Sequence, residues 1–177
     1  MKYKIPKKTQ LLFTVTILFL SGCQKNLDLQ QPQEEAIVSK ANTIVTDANS
    51  NYNLEVNLKG EGNRSGHIHF RQDRDAAKII TLDIKVHHLK PNHEYLLQRA
   101  VDTNLDGNCT STSWLTLGHG LLAQAIVTND KGNGTEVLWR DVSMVASGSN
   151  FDIHFRVIDA TTNAVVLTSD CYQYTVR

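Results

Sequence analysis

Strong bias of any kind is missing from this chain of 177 residues. It has three prolines, three cysteines and two tryptophans. Ten glycines and three prolines are too few for a collagen-like chain, and 41% hydrophobic residues exceed a disordered composition. An excess of one charge is missing too, since 18 Lys and Arg face 18 Asp and Glu. That balance hides an asymmetry. Lys2, Lys4, Lys7 and Lys8 all precede the first apolar run, and without them fourteen basic groups face eighteen acidic ones. A mildly acidic protein lacks the clustered basic footprint that nucleic acid requires, so no nucleic-acid partner is expected. The chain also lacks a Gly-x-Ser-x-Gly elbow, a Gly-rich phosphate loop and a His-Glu-x-x-His pair, so no catalytic residue is assigned.

What is present begins with an address. The basic stretch leads into an apolar run from Leu11 to Leu20, followed by small residues. This is the layout of a secretory signal. As a helix that run covers about 15 Å, half of a hydrocarbon core, so it is too short for a permanent span. Leu20-Ser21-Gly22-Cys23 resembles the lipobox of bacterial lipoproteins. The resemblance implies that residues 1–22 are removed and that Cys23 is acylated and anchors the protein in a lipid bilayer. Several acyl chains give stable attachment where one gives only marginal binding. Gln24 and Lys25 follow the cysteine. With no acidic residue there, the outer membrane is expected over the inner one. Residues 23–35 are polar and Gln-rich around Pro32, which is the composition of a tether.

Residues 36–177 read as one all-β domain. Segments 36–46, 53–58, 67–72, 77–89, 94–101, 114–117, 122–128, 135–142, 151–159 and 165–176 carry strand signals. Gly60, Gly62 and Gly66 mark one turn, and Asn129-Asp130-Lys131-Gly132 marks another. Alternation in 77–89 sets Ile80, Leu82, Ile84, Val86 and His88 on one face. Strand signals every eight to twelve residues or so predict an antiparallel Greek-key β-sandwich, immunoglobulin-like or dismutase-like.

With Cys23 assigned to lipid, Cys109 and Cys171 remain. An even pair in an exported protein reads as a disulfide, two free thiols being the alternative. A bridge from a long loop to the last strand resembles the copper/zinc superoxide dismutases. Their motif V-x-G-L-x-P-G-x-H-G-F-H-V-H is similar to residues 86–98 here through Leu89, Pro91, His93 and Tyr95. Laid over that motif, the two copper-ligand positions fall on Leu96 and Gln98, and Thr168-Ser169-Asp170 stands where the family keeps an arginine. The resemblance therefore implies the fold without the metal chemistry.

Three further sets of residues could hold a ligand. His67 and His69 share a strand face and could both reach one metal ion. Asp102, Asn104 and Asp106, followed by Gly107, match the first half of an EF-hand loop and are candidate calcium ligands, though Ser113 stands at the twelfth position. Trp114 and Trp139 could stack on a sugar, or could equally be core. The expected function is a membrane-anchored envelope lipoprotein acting as a non-enzymatic binding or structural module with a protein, glycan or small-ligand partner. The alternatives are a dismutase-like metal enzyme with a rearranged site and a glycan-binding module.

Overall fold

The computed structural model describes residues 52–177, and every regular element among them is a strand. The signal, Cys23, the tether and the strand expected at 36–46 lie outside the described residues. In chain order the strands are β1 (Asn53–Lys59), β2 (Ser65–Gln72), β3 (Ile79–His87), β4 (Glu94–Asp102), β5 (Leu115–Thr116) and β6 (Gly118–His119). They continue with β7 (Leu122–Ala123), β8 (Ala125–Val127), β9 (Gly134–Asp141), β10 (Asn150–Asp159), β11 (Val165–Ser169) and β12 (Tyr172–Thr175). They form one mixed sheet in the order β5-β4-β10-β11-β1-β2-β3-β9-β6-β7, with β8 on β4 and β12 on β10. Every pairing is antiparallel except the single β6–β9 contact, where His119 meets Trp139.

The sheet nearly closes into a barrel. Strand β8 lies along β4 through Tyr95 and Ile126, and Thr128 then bridges Gly134 at the start of β9. The β8–β9 hairpin thus links one edge of the sheet to the other. Period-2 alternation places alternate residues inside. Leu54, Val56 and Leu58 of β1, Ile68 and Phe70 of β2, and Leu82, Ile84 and Val86 of β3 are all buried. Leu138 of β9 continues this wall, and Leu97 of β4, Phe155 and Val157 of β10 and Leu167 of β11 meet it from the other.

Several expected boundaries move. Gly66 is a β2 residue rather than part of the turn, and it faces inward where a Cβ would come within 3.1 Å of the Leu58 side chain. His88, expected on the inner face of the long strand, leaves the ladder with φ of 59° and is exposed. The run 165–176 breaks into β11 and β12. At the break, the Phe155 amide donates to the Ser169 hydroxyl (2.8 Å) in place of a backbone carbonyl, and Cys171 follows. Beyond it β12 pairs with the N-terminal half of β10. The run 122–128 likewise splits, because the Gln124 amide turns to the Leu117 carbonyl.

The two turns at the β8–β9 end support one another. The Leu89 amide donates to the Gly132 carbonyl (3.0 Å), and the buried Thr128 hydroxyl donates to the Lys90 carbonyl (2.7 Å) while accepting from the His93 amide (3.0 Å). Tyr95 adds its hydroxyl as acceptor for the Lys90 amide, and burial pushes its phenol pKa up. Cys109 and Cys171 form a disulfide, as the cysteine count predicts.

Candidate functional site

The opposite end of the barrel encloses a cavity of about 100 Å³ that is partly open to solvent. Its walls are the inward residues near the ends of β2, β3, β4, β9 and β10, with Val142, Val145 and the C-terminal Tyr174 and Val176 completing the rim. Phe70 and Tyr174 meet edge to face at 4.8 Å. The Tyr174 hydroxyl donates to Gln72 Oε1 (2.5 Å), and the Arg177 amide shares that acceptor (2.9 Å). An apolar cavity of this size approaches the roughly 150 Å³ voids that stay dry and accept a small aromatic molecule.

Two charged residues break the apolar lining. Arg99 follows Tyr95 and Leu97 in the inward phase of β4, opposite Phe155 of β10. Arg140 follows Leu138 in the inward phase of β9, opposite Ile80 of β3. The Arg140 Nη1 donates to the Gly120 carbonyl (3.0 Å). The Arg99 guanidinium makes no hydrogen bond or ion pair among the described residues. Burial lowers its pKa, and the positive field of Arg140 lowers it further. Among the described residues no Asp or Glu lines the cavity. Glu136, the one acid in the inward phase of β9, instead accepts from its own neighbour Val137 (3.0 Å) and faces Gln124. Asp141 accepts from the Ser143 amide (2.7 Å), which holds its carboxyl below the usual range.

The sequence-predicted sites lie elsewhere. His67 and His69 do share the outer face of β2, but Glu55 of β1 sits against both rings. One carboxylate oxygen lies 2.6 Å from His67 Nε2, and the other contacts His69 Nδ1. Beside them Arg71 pairs with Asp83 (2.5 Å). Among the described residues no three His, Cys, Asp or Glu side chains form a group that could hold a metal ion.

Asp102 ends β4, Asn104 and Asp106 stand in the loop that follows, and their polar side-chain groups serve the loop itself. Asp102 accepts from the amides of Thr110 and Ser111 (both 3.2 Å). Asp106 accepts from the Asn108 amide (2.9 Å) and from the Asn104 side chain (2.6 Å). Asp152 of β10, which pairs with Asp102, is fully buried beneath this loop and accepts from the Gly107 amide (2.8 Å).

Trp114 is covered rather than presented. The Arg156 guanidinium lies 4.0 Å from its ring centre, and the His154 ring lies 4.6 Å away. Trp139 is 41% exposed on the outer face of β9, with Gly120 against its six-membered ring. Leu96 and Gln98, the positions laid over the copper ligands, face outward on β4. Gln98 is engaged with Arg156 (2.7 Å) and Thr116 (3.0 Å).

Sequence reading missed the cavity and both arginines. The signal was there in β4, where Tyr95, Leu97, Arg99 and Val101 keep one phase and only Arg99 is charged. No protein-family model matches the chain, and no curated protein matches it.

Proposed function

We propose that the protein is an acylated lipoprotein of the bacterial envelope, held in the outer membrane by Cys23, and that its β domain is a non-enzymatic binding module. The observation that carries this reading is the partly open apolar cavity at the Arg99 end of the barrel. Ordinary interiors are close-packed, with few voids larger than a water molecule, so a void of this size among large side chains is a natural seat for a small ligand. The lipobox sequence supports the address, and the disulfide fits an oxidising compartment.

Within the nearly closed sheet, the reading includes a Greek-key sandwich of the dismutase-like kind. Its support is topological. Strands β1-β2-β3-β9 run side by side as one half and β8-β4-β10-β11 as the other, and the chain crosses between halves after β3, β8 and β9. The metal-enzyme alternative draws less support, because Leu96 is no metal ligand and Gln98 is already bonded. The glycan alternative rests on Trp139 alone, since Trp114 is covered.

Two experiments on the full chain test the two halves of the proposal. In detergent phase separation the wild type is expected in the detergent phase, and Cys23→Ser should be unprocessed or move to the aqueous phase. Unchanged partitioning of a normally processed Cys23→Ser protein rules out the anchor. For the seat, calorimetric titration with 1-octanol should saturate, and Val101→Trp, which fills the cavity, should abolish the signal while retaining a cooperative thermal transition. Absence of saturable binding to the wild type overturns the seat.

A further inference from the structure

The binding seat has a chemical preference written into its walls. Arg99 occupies an inward position on a strand whose other inward residues are Tyr95, Leu97 and Val101. A guanidinium drawn out of water needs a compensating partner, since desolvation disfavours the charged form. Among the described residues none is supplied. The Arg99 guanidinium has no hydrogen bond or ion pair there, and the charged neighbour that bears on it is a second cation, Arg140. Two like charges at an apolar cavity with no carboxylate among its described lining residues leave an electrostatic vacancy of definite sign. The two acids of β9 are engaged elsewhere, Glu136 with Val137 and Gln124, and Asp141 with Ser143.

The rest of the seat is oily. Phe70, Leu82, Phe151 and Phe155 line it. A ligand that satisfies both parts carries an anionic head and an apolar tail. Planar guanidinium groups match carboxylate and phosphate oxygens in a bidentate fork, and they do so best where water is excluded.

Resting on the binding reading above, we infer that the cavity takes a small amphipathic anion, with its carboxylate or phosphate head on Arg99 and Arg140 and its alkyl or aryl tail among the aromatic side chains. A volume near 100 Å³ accommodates only a short tail or the end of a longer one, the remainder leaving through the open side. Arg140 is already tied to the Gly120 carbonyl and is thereby held in place, whereas Arg99 is uncommitted. Arg99 is therefore the main recognition residue and Arg140 the fixed second contact.

The test is calorimetric titration of the full chain with four probes of equal tail length: octanoate, octyl phosphate, 1-octanol and octylammonium. At least one of the two anions is expected to bind about tenfold or more tightly than 1-octanol, and octylammonium most weakly. The ratio of octanoate to octyl phosphate affinity says which head is preferred. Arg99→Met, which keeps an unbranched apolar stem and drops the charged head, should erase the preference for anions and leave 1-octanol binding within about twofold. Arg140→Met should weaken anion binding without erasing it. If 1-octanol binds as tightly as both anions, or octylammonium binds better, the anion inference fails while the binding seat stands. If none of the four saturates, the seat itself is wrong and the inference falls with it. A thermal transition for each variant within a few degrees of the wild type separates lost binding from lost folding.

Discussion

Asp159 gathers three hydrogen bonds at the turn after β10. Its carboxylate accepts from the amides of Thr161 (2.9 Å) and Thr162 (3.0 Å) and from His93 Nε2 (2.7 Å). The Thr162 amide is the largest influence on its acidity. Burial opposes that, and the Thr161 amide and His93 add to it, so the pKa is pushed down to about 2. A carboxyl whose folded pKa lies below its unfolded value stabilises the fold above the unfolded pKa and ceases to do so as pH falls through the folded one. The contribution of Asp159 is thus complete above about pH 4 and is lost on the way down to about pH 2. Urea unfolding of Asp159→Asn across this range should show a flatter dependence of stability on pH than the wild type. An unchanged slope would mean that the turn does not favour the ionised form. At this scale the sequence was legible in orientation and opaque in partnership. Alternation sets His67 and His69 on one face of β2, and they share its outer face, as His154 takes the outer face of β10. It could not say that Glu55 would stand against the first two, or that Trp114 would lie over the third, because those contacts join residues far apart in the chain.

Elements were read well where the alternation was long. The core of β3 and its inward set followed directly from 77–89, because a strand buried on one face has to repeat every second residue. Short pieces were not legible. Strands β5 to β8 have two or three residues each, too few for any period, and their path follows from backbone bonds to β4 and β9. Turns carried a clearer signal. Gly132 sits in the β8–β9 turn at φ of +74°, and a Cβ there would fall 2.1 Å from the Leu89 carbonyl oxygen. Gly132→Ala would strain the backbone and push Leu89 away from the hydrogen bond it donates to this same residue. The expected loss is above about 1 kcal/mol of unfolding free energy in urea. Gly62, also at positive φ but with nothing near its missing Cβ, is the control and should lose less on the same change. Equal losses at the two positions would remove Leu89 from the explanation.

For the molecule as a whole, the all-β class and the Cys109–Cys171 bridge were both legible, the first from repeated strand signals and the second from counting thiols. Strand order was not, because nothing local says that β1 will pair with β11 or that β8 will link β4 to β9. The bridge spans a sequence separation of 62 residues, which in the chain-entropy model stabilises the fold by up to about 4 kcal/mol. Cys109→Ser with Cys171→Ser is expected to lower the unfolding free energy by about 2–4 kcal/mol. Mass spectrometry of non-reduced peptides should find the two cysteines joined, and free thiols at both would refute the pairing.

The same two closures set a timetable. Leu58 of β1 pairs with Ser169, and Cys109 bonds to Cys171, so the partner of each is made long after it. A nascent chain that has reached the end of β10 still has an open edge on β1 and an unpaired thiol. Contacts this distant in sequence form late and slowly. Neither the seam nor the bridge can therefore be completed part-way through synthesis. A chain threaded through a narrow pore during that interval has not yet acquired the seam that would jam it, and it shuts only after β11 and Cys171 have followed β1 to the same side.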